Sequence, residues 1–243
     1  MNNERTTDDY ILDRFMNVKW SEQERDEVLG LPLYDLPYLP LDIKIPDDDL
    51  ASIVEKIESI DESNFFFYCQ ATIMPYNSEK LVFYGPDNYK DFWIQTRDAL
   101  SHEHFRELSD VDNYKWQIEI PEIKDFVSTI PMNELYMVEC RNSKIDGKAY
   151  VHRDREKMYK GLNNRIFVPL TWDDGNRFAI TGLGDIHAEP GRPFVLNGNS
   201  WHHGTVNTSG KRRLAIIISA NTHGCTEFDE LLKRSYKKFA NVM

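Results

Sequence analysis

A chain of 243 residues with 41% hydrophobic and 28% charged positions has an ordinary globular composition, with length for one large domain or two small ones. The formal charge of −11 argues against a nucleic-acid partner, which would need a basic face, and no apolar run is long enough to span a bilayer. The polar, acidic start MNNERTTDDY is unlike a secretory signal; Cys69, Cys140 and Cys225, odd in number and widely spaced, read as reduced structural thiols of a cytoplasmic protein.

Residues 1–45 read as an extended arm, because LGLPLYDLPYLPLDIKIP carries prolines at 32, 37, 40 and 46 that exclude a helix there. A pocket wall built from Tyr34 and Tyr38 is the sharper alternative for this stretch. Residues 46–130 read as helical and mixed support. Asp47–Asp49 cap a helix over Asp47–Ile60 whose apolar face is Leu50, Ile53, Val54, Ile57 and Ile60. Strands follow over 65–84, broken by Pro75 and Asn77, then a second helix over 89–108, then a mixed segment with a break at Pro121.

From 131 to 222 the pattern changes to short strands separated by turns. The candidates are Leu135–Arg141, Ala149–Asp154, Arg165–Leu170, Arg177–Ile180, Phe194–Leu196, His203–Val206 and Arg213–Ser219. Turn signals such as Asp146-Gly147, Asp174-Gly175, Pro190-Gly191, Gly198 and Ser209-Gly210 divide them. This rhythm indicates a mainly β fold with flanking helices: a jelly roll, or double-stranded β-helix of the cupin kind, rather than a doubly wound sheet. The segment 223–243 closes it with an amphipathic helix over Thr226–Phe239. The chain is read as one domain, 1–243, and its oligomeric state is left open.

In AYVHRDREK, strand alternation puts His152 and Asp154 on one face and turns Arg153 away, so a nitrogen and an oxygen donor can reach one cation. A third donor must come from another strand, and NSWHHGTVN offers His202 and His203. Two histidines and a carboxylate make the three-sided ligand set of non-haem Fe(II) sites. In so acidic a chain the same pairing also arises by chance, and His187 with Glu189 is such a rival. Pro190 and Gly191 follow it at once, and a turn there spoils the alternation. His102 and His104 make another pair, but on a helix side chains two apart diverge.

Arg213 stands ten residues after His203, past Ser209-Gly210, and opens the apolar run LAIIIS. A charge at the head of a buried strand is costly unless paired. A bidentate carboxylate would pair it, supplied by a bound ligand or by an internal acid. Arg165, heading IFVPL, is in a similar position.

In this order VHRD, NRIFVPLT, PGRPFVLNGNSWHHGTVN and RRLAIIIS resemble the 2-oxoglutarate/Fe(II) dioxygenases. Within them the likeness is greatest to the aspartyl/asparaginyl β-hydroxylase-like branch that includes bacterial proline cis-hydroxylases, and it covers roughly residues 130–220. The resemblance implies that His152 and Asp154 are the proximal iron ligands and His203 the distal one. Asn207 and then Arg213, the arginine for the co-substrate, follow His203 at the family's spacing. His202 with Arg212 is the same spacing shifted by one and stays open. Arg165 matches a basic position in an R-x-H-x-P-L-like strand, where this chain has Phe167 in place of the central histidine.

The cofactors so implied are Fe(II), 2-oxoglutarate and O2, with Arg213 gripping the far carboxylate of 2-oxoglutarate. The implied reaction hydroxylates an unactivated C–H bond of an amino acid, either a free small molecule or a residue in a peptide or protein, with succinate and CO2 as co-products. Asp154 argues against a halogenase-type site. Tyr136, Trp172, Arg177 and Trp201 are candidate pocket residues, with packing the alternative for the aromatics. Two rivals remain: a jelly-roll metal-dependent hydrolase or isomerase, and a non-catalytic cupin-like binding protein. A dicarboxylate clamp at Arg213 serves only the oxygenase.

Overall fold

The computed structural model describes residues 6–67, 78–86, 114–154, 164–241 and 243. The helix expected over 89–108, Cys69, His102 and His104 lie outside the described residues. In chain order the elements begin with α1 (Thr7–Met16), α2 (Glu22–Leu29), β1 (Tyr38–Pro40) and α3 (Asp47–Glu58). Next come β2 (Phe66–Phe67), β3 (Ser78–Pro86), β4 (Tyr114–Trp116) and α4 (Pro121–Ser128). The strand-rich part holds β5 (Glu134–Ser143), β6 (Lys148–His152), β7 (Asn164–Pro169), β8 (Asn176–Ile180) and β9 (Gly184–Asp185). It continues with β10 (Phe194–Leu196), β11 (His203–Asn207) and β12 (Arg213–Asn221), and α5 (Thr226–Phe239) closes the chain.

The strands make two antiparallel sheets, one in the order β1-β10-β7-β12-β5-β3-β2 with β4 added on β3, the other β6-β11-β8-β9. Strand alternation gives the larger sheet two different faces. On one, Ile166, Val168, Val138, Cys140, Ile216 and Ile218 share a core with Ile53 and Ile57 of α3, Ile123 and Phe126 of α4, and Phe228 and Leu231 of α5. The other face looks at the smaller sheet. There Phe167 stacks on Phe194 at 5.4 Å between ring centroids and meets Phe178 of β8 edge-on at 6.1 Å. This is the jelly-roll architecture expected from the turn rhythm.

The amino-terminal stretch differs from the arm expected of it. Thr6 and Asp9 form a capping box at the start of α1, and Ser21 and Glu24 form one at α2. Leu12 and Met16 bury against Tyr150 and Ala179, covering the outer side of the smaller sheet. The prolines at 32, 37, 40 and 46 do fall outside helices, but Tyr38–Pro40 is an edge strand paired with β10. Tyr38 packs on Phe194 and donates its hydroxyl to the His187 carbonyl at 3.2 Å, so it is part of the core. Pro121 does not break an element; it opens α4, where its missing N–H costs nothing. Cys140 and Cys225 are unpaired and buried, and no described helix is long and apolar enough to cross a membrane.

Candidate metal centre

Antiparallel pairing sets His203 of β11 opposite His152 of β6. Both side chains project from the same face of the smaller sheet, with ring centroids 4.3 Å apart. Asp154 reaches them by a different route from the strand alternation expected of it, because β6 stops at His152. Its backbone N–H instead donates to the Gly198 carbonyl at 2.8 Å, which folds the carboxylate back over the two rings. His152 Nε2 then lies 3.8 Å from Asp154 Oδ1, and His203 Nε2 lies 4.0 Å from Asp154 Oδ2. The three donor atoms fall within 4.8 Å of one another.

Each imidazole is oriented from behind. His152 Nδ1 donates to the Tyr150 carbonyl at 2.6 Å, and His203 Nδ1 donates to the Trp201 carbonyl at 3.2 Å. Those bonds fix the tautomer and turn both Nε2 lone pairs to the common point. Phe178 lies parallel to His203 at 5.7 Å and holds the ring in place.

Burial disfavours a charged imidazole, pushing His152 down from its ordinary value and His203 down to about 4. Burial works the other way on Asp154, but Arg165 above all, with the two histidines, holds its carboxyl at about 2. At neutral pH the site is therefore two neutral imidazoles and an ionised carboxylate, the protonation state a divalent cation needs.

Two further observations fit a cation here. Asp154 Oδ2 is buried and accepts no hydrogen bond among the described residues, with the Arg165 guanidinium beside it as an ion pair at 2.6 Å. A β-carbon built on Gly198 would sit 2.4 Å from Oδ2 of Asp154 and 3.0 Å from Cε1 of His203, so the loop keeps a side chain out of the centre. The donor set suits a first-row divalent metal with three protein ligands.

His202 is exposed, and Arg212 pairs with Glu62 at 2.9 Å, so the second register turns both away from the centre. Arg213 donates to Thr205 Oγ1 at 3.1 Å, one inward position along β11 from His203, with its guanidinium 5.7 Å from the Trp172 ring. Arg165, the second arginine expected near the co-substrate, faces Asp154 at 2.6 Å. Arg177 points out, pairing with Asp185 and the Met16 carbonyl, and Trp201 donates to the Asp35 carbonyl. Tyr34 bonds Asp229 on α5, and Tyr136 lies buried in β5. The rival Glu189 is taken by Arg192 and Lys44. Gly198 was legible only as a turn glycine, and nothing in the residues themselves marks the Tyr150 and Trp201 carbonyls.

Fold and donors together define a jelly-roll protein with a two-histidine, one-carboxylate centre between its sheets. No family model matches the sequence, and no curated protein matches it. Solved structures similar to it include a Pseudomonas putida prolyl-4-hydroxylase, 13% identical, TM-score 0.46, spanning 83% of this chain and 98% of that one. Another is a viral collagen prolyl hydroxylase of Paramecium bursaria Chlorella virus-1 in complex with 2-oxoglutarate, 13% identical, TM-score 0.42, spanning 76% and 96%. A third is HygX of Streptomyces hygroscopicus with nickel and 2-oxoglutarate bound, 13% identical, TM-score 0.42, spanning 77% and 84%.

Proposed function

We propose that this protein is an Fe(II)/2-oxoglutarate-dependent oxygenase that hydroxylates an unactivated C–H bond of an amino acid, free or within a peptide. The observation that carries the reading is the convergence of His152, Asp154 and His203, with Arg213 on the same interior beside Thr205. These three side chains would hold Fe(II), and Arg213 would receive the far carboxylate of 2-oxoglutarate by a bidentate contact. Iron, 2-oxoglutarate and dioxygen together supply the oxidising chemistry, leaving succinate and carbon dioxide. The chain's own part is orientation and exclusion of water. The Tyr150 and Trp201 carbonyls aim the imidazoles, Arg165 steadies Asp154, and the Phe167, Phe178 and Phe194 rings form a dry wall beside His203. Membership of the aspartyl/asparaginyl β-hydroxylase-like branch and a cytoplasmic setting belong to the same proposal.

The test is an anaerobic titration of the protein with Fe(II) and then 2-oxoglutarate, followed by the visible charge-transfer band of the chelate. The band is expected in the wild type and in His202→Ala, and is lost in Asp154→Ala and His203→Ala with the fold intact by circular dichroism. Arg213→Ala is expected to raise the 2-oxoglutarate requirement by about tenfold or more, the loss of one charge-assisted contact. A wild type that binds iron but gives no band with 2-oxoglutarate sinks the reading.

A further inference from the structure

Two of the three candidate ligands are held by one short loop, residues 197–201. Gly198 offers its carbonyl to the Asp154 N–H at 2.8 Å, and Trp201 offers its carbonyl to His203 Nδ1 at 3.2 Å. His152 takes its partner from its own strand instead, the Tyr150 carbonyl at 2.6 Å. Whatever sets this loop therefore sets Asp154 and His203, but not His152.

Asn197 closes the loop on itself and ties it to a distant part of the chain. Its backbone carbonyl accepts from the Trp201 N–H at 3.2 Å, and its side-chain oxygen accepts from the Ser200 N–H at 3.3 Å. Its backbone N–H donates to the Pro37 carbonyl at 3.1 Å, carrying the pairing of β1 with β10 one residue past Tyr38 and Leu196. Its side-chain amide N–H donates to the Tyr34 carbonyl at 3.3 Å. Only an amide side chain brings a donor and an acceptor to one end in this way. From the far end of the loop, the Trp201 indole N–H donates to the Asp35 carbonyl at 2.9 Å. The segment 34–37 that receives these bonds is itself fixed. The Asp35 N–H closes a turn on the Pro32 carbonyl at 2.8 Å, and the Tyr34 hydroxyl bonds Asp229 on α5.

We propose that Asn197 is a positioning residue of the metal centre. Its side-chain amide clamps the loop 197–201 to the segment 34–37, and so places the two carbonyls that hold Asp154 and His203. Asn197 touches neither a metal nor a reacting group; it acts through Gly198 and Trp201, one step behind the ligands. Tyr34 and Trp201 then serve the site from outside, as part of this brace. The inference rests on the metal centre of the reading above and adds to it the part of the chain that holds the centre in shape.

The experiment uses the full chain. Nitrogen NMR of the histidine rings in the metal-free protein at neutral pH reads each imidazole, and Mn(II) affinity is measured by calorimetry. Asn197→Ala is expected to move the His203 ring signals and the Asp154 amide signal while those of His152 stay in place. Its Mn(II) affinity should fall about tenfold, the scale on which groups behind a metal ligand act. Asn197→Ser is the gentler variant: a hydroxyl can still accept from Ser200 but is too short to reach the Tyr34 carbonyl, and the same split is expected. Tyr34→Phe loosens the bond to Asp229 but keeps the carbonyl, so its Mn(II) affinity should match the wild type. An unchanged His203 signal in both Asn197 variants overturns the inference. So does a His152 signal that moves as far as that of His203, or a Tyr34→Phe protein with the same loss of affinity, since the effect would then be a general loosening. A wild type that does not bind Mn(II) takes down the metal centre, the oxygenase reading and this inference together. A wild type that binds Mn(II) but not 2-oxoglutarate takes down the oxygenase reading, while the response of His203 and Mn(II) affinity to the Asn197 variants still decides the inference.

Discussion

Gly198 shows how one missing side chain shapes the centre. Its carbonyl receives the Asp154 N–H, and its Cα lies where any substituent would press on Oδ2 of Asp154. The nearest atoms are a buried carboxylate and a ring held by Trp201 and Phe178, none of them a flexible end that can swing away. Gly198→Ala is therefore expected to push Asp154 off the two imidazoles while leaving both sheets in place. Mn(II) affinity measured by calorimetry should fall about tenfold, the order of effect for a displaced ligand contact, with the circular dichroism unchanged. Unaltered affinity would show that the loop, not the carboxylate, gives way. At this scale much was legible in the residues. His152, Asp154 and His203 were marked by type and spacing, and burial separates His203 from the exposed His202. What alternation could not foresee is that β6 ends before Asp154, because a loop hydrogen bond from another part of the chain positions it.

Among elements, α1 is the one whose place is least obvious and most exposed to test. It lies against β6, β8 and β11 on the side opposite His152 and His203. Leu12 comes so close to Gly204 that a β-carbon there would meet its Cδ1 at 2.9 Å. The residue after His203 thus rests on α1, and the helix backs the strand that carries His203. Thr6 accepts from the Asp9 N–H, while Asp9 returns a bond to the Thr6 N–H and pairs with Lys148 at 2.6 Å. Thr6→Ala removes one half of this cap at a cost of about 1 kcal/mol, the usual value for such a loss. Hydrogen exchange of α1 amides should speed up roughly fivefold, with core strands such as β12 unaffected. Unchanged exchange would mean that Leu12 and Met16 hold the helix without its cap. The capping boxes Thr6-x-x-Asp9 and Ser21-x-x-Glu24 were present in the sequence as start signals. Their helices bury only Leu12 and Met16, or Val28, too few apolar positions to make a visible stripe. By contrast α3 turns Leu50, Ile53, Val54 and Ile57 to the core, α5 turns Phe228, Leu231, Leu232 and Tyr236 to it, and α5 occupies the residues its periodicity marks.

The molecule as a whole is a helix-covered sheet facing a smaller one, and its polar contents lie in the space between them. Alternation made the apolar face of β12 and β7 plain, but the opposite face mixes Arg165, Phe167, Ile217 and Glu139, and its pairing depends on which strands become neighbours. Glu139 is the keystone of that pairing. Burial opposes its charge, but Arg141 and Lys80 outweigh this and hold its carboxyl at about 2. A carboxylate lowered in the folded state stabilises the protein above its unfolded value near 4.5, and the contribution is lost as pH falls toward 2. Glu139→Gln keeps the shape and removes the charge, leaving buried Lys80 and Arg141 without their shared anion. At neutral pH that should cost about 3–5 kcal/mol, as breaking a buried pair from one side does. As pH falls from 4.5 to 2, wild-type Glu139 takes up a proton and comes to resemble the glutamine, so the gap between the two proteins should close. Other acids titrate in the same range, but in both proteins alike, and the difference isolates Glu139. Urea denaturation of both at a series of pH values measures it. A gap that stays constant over that range would mean that Glu139 is not ionised in the folded protein, and that its charge does not tie β3 to β5 at this point.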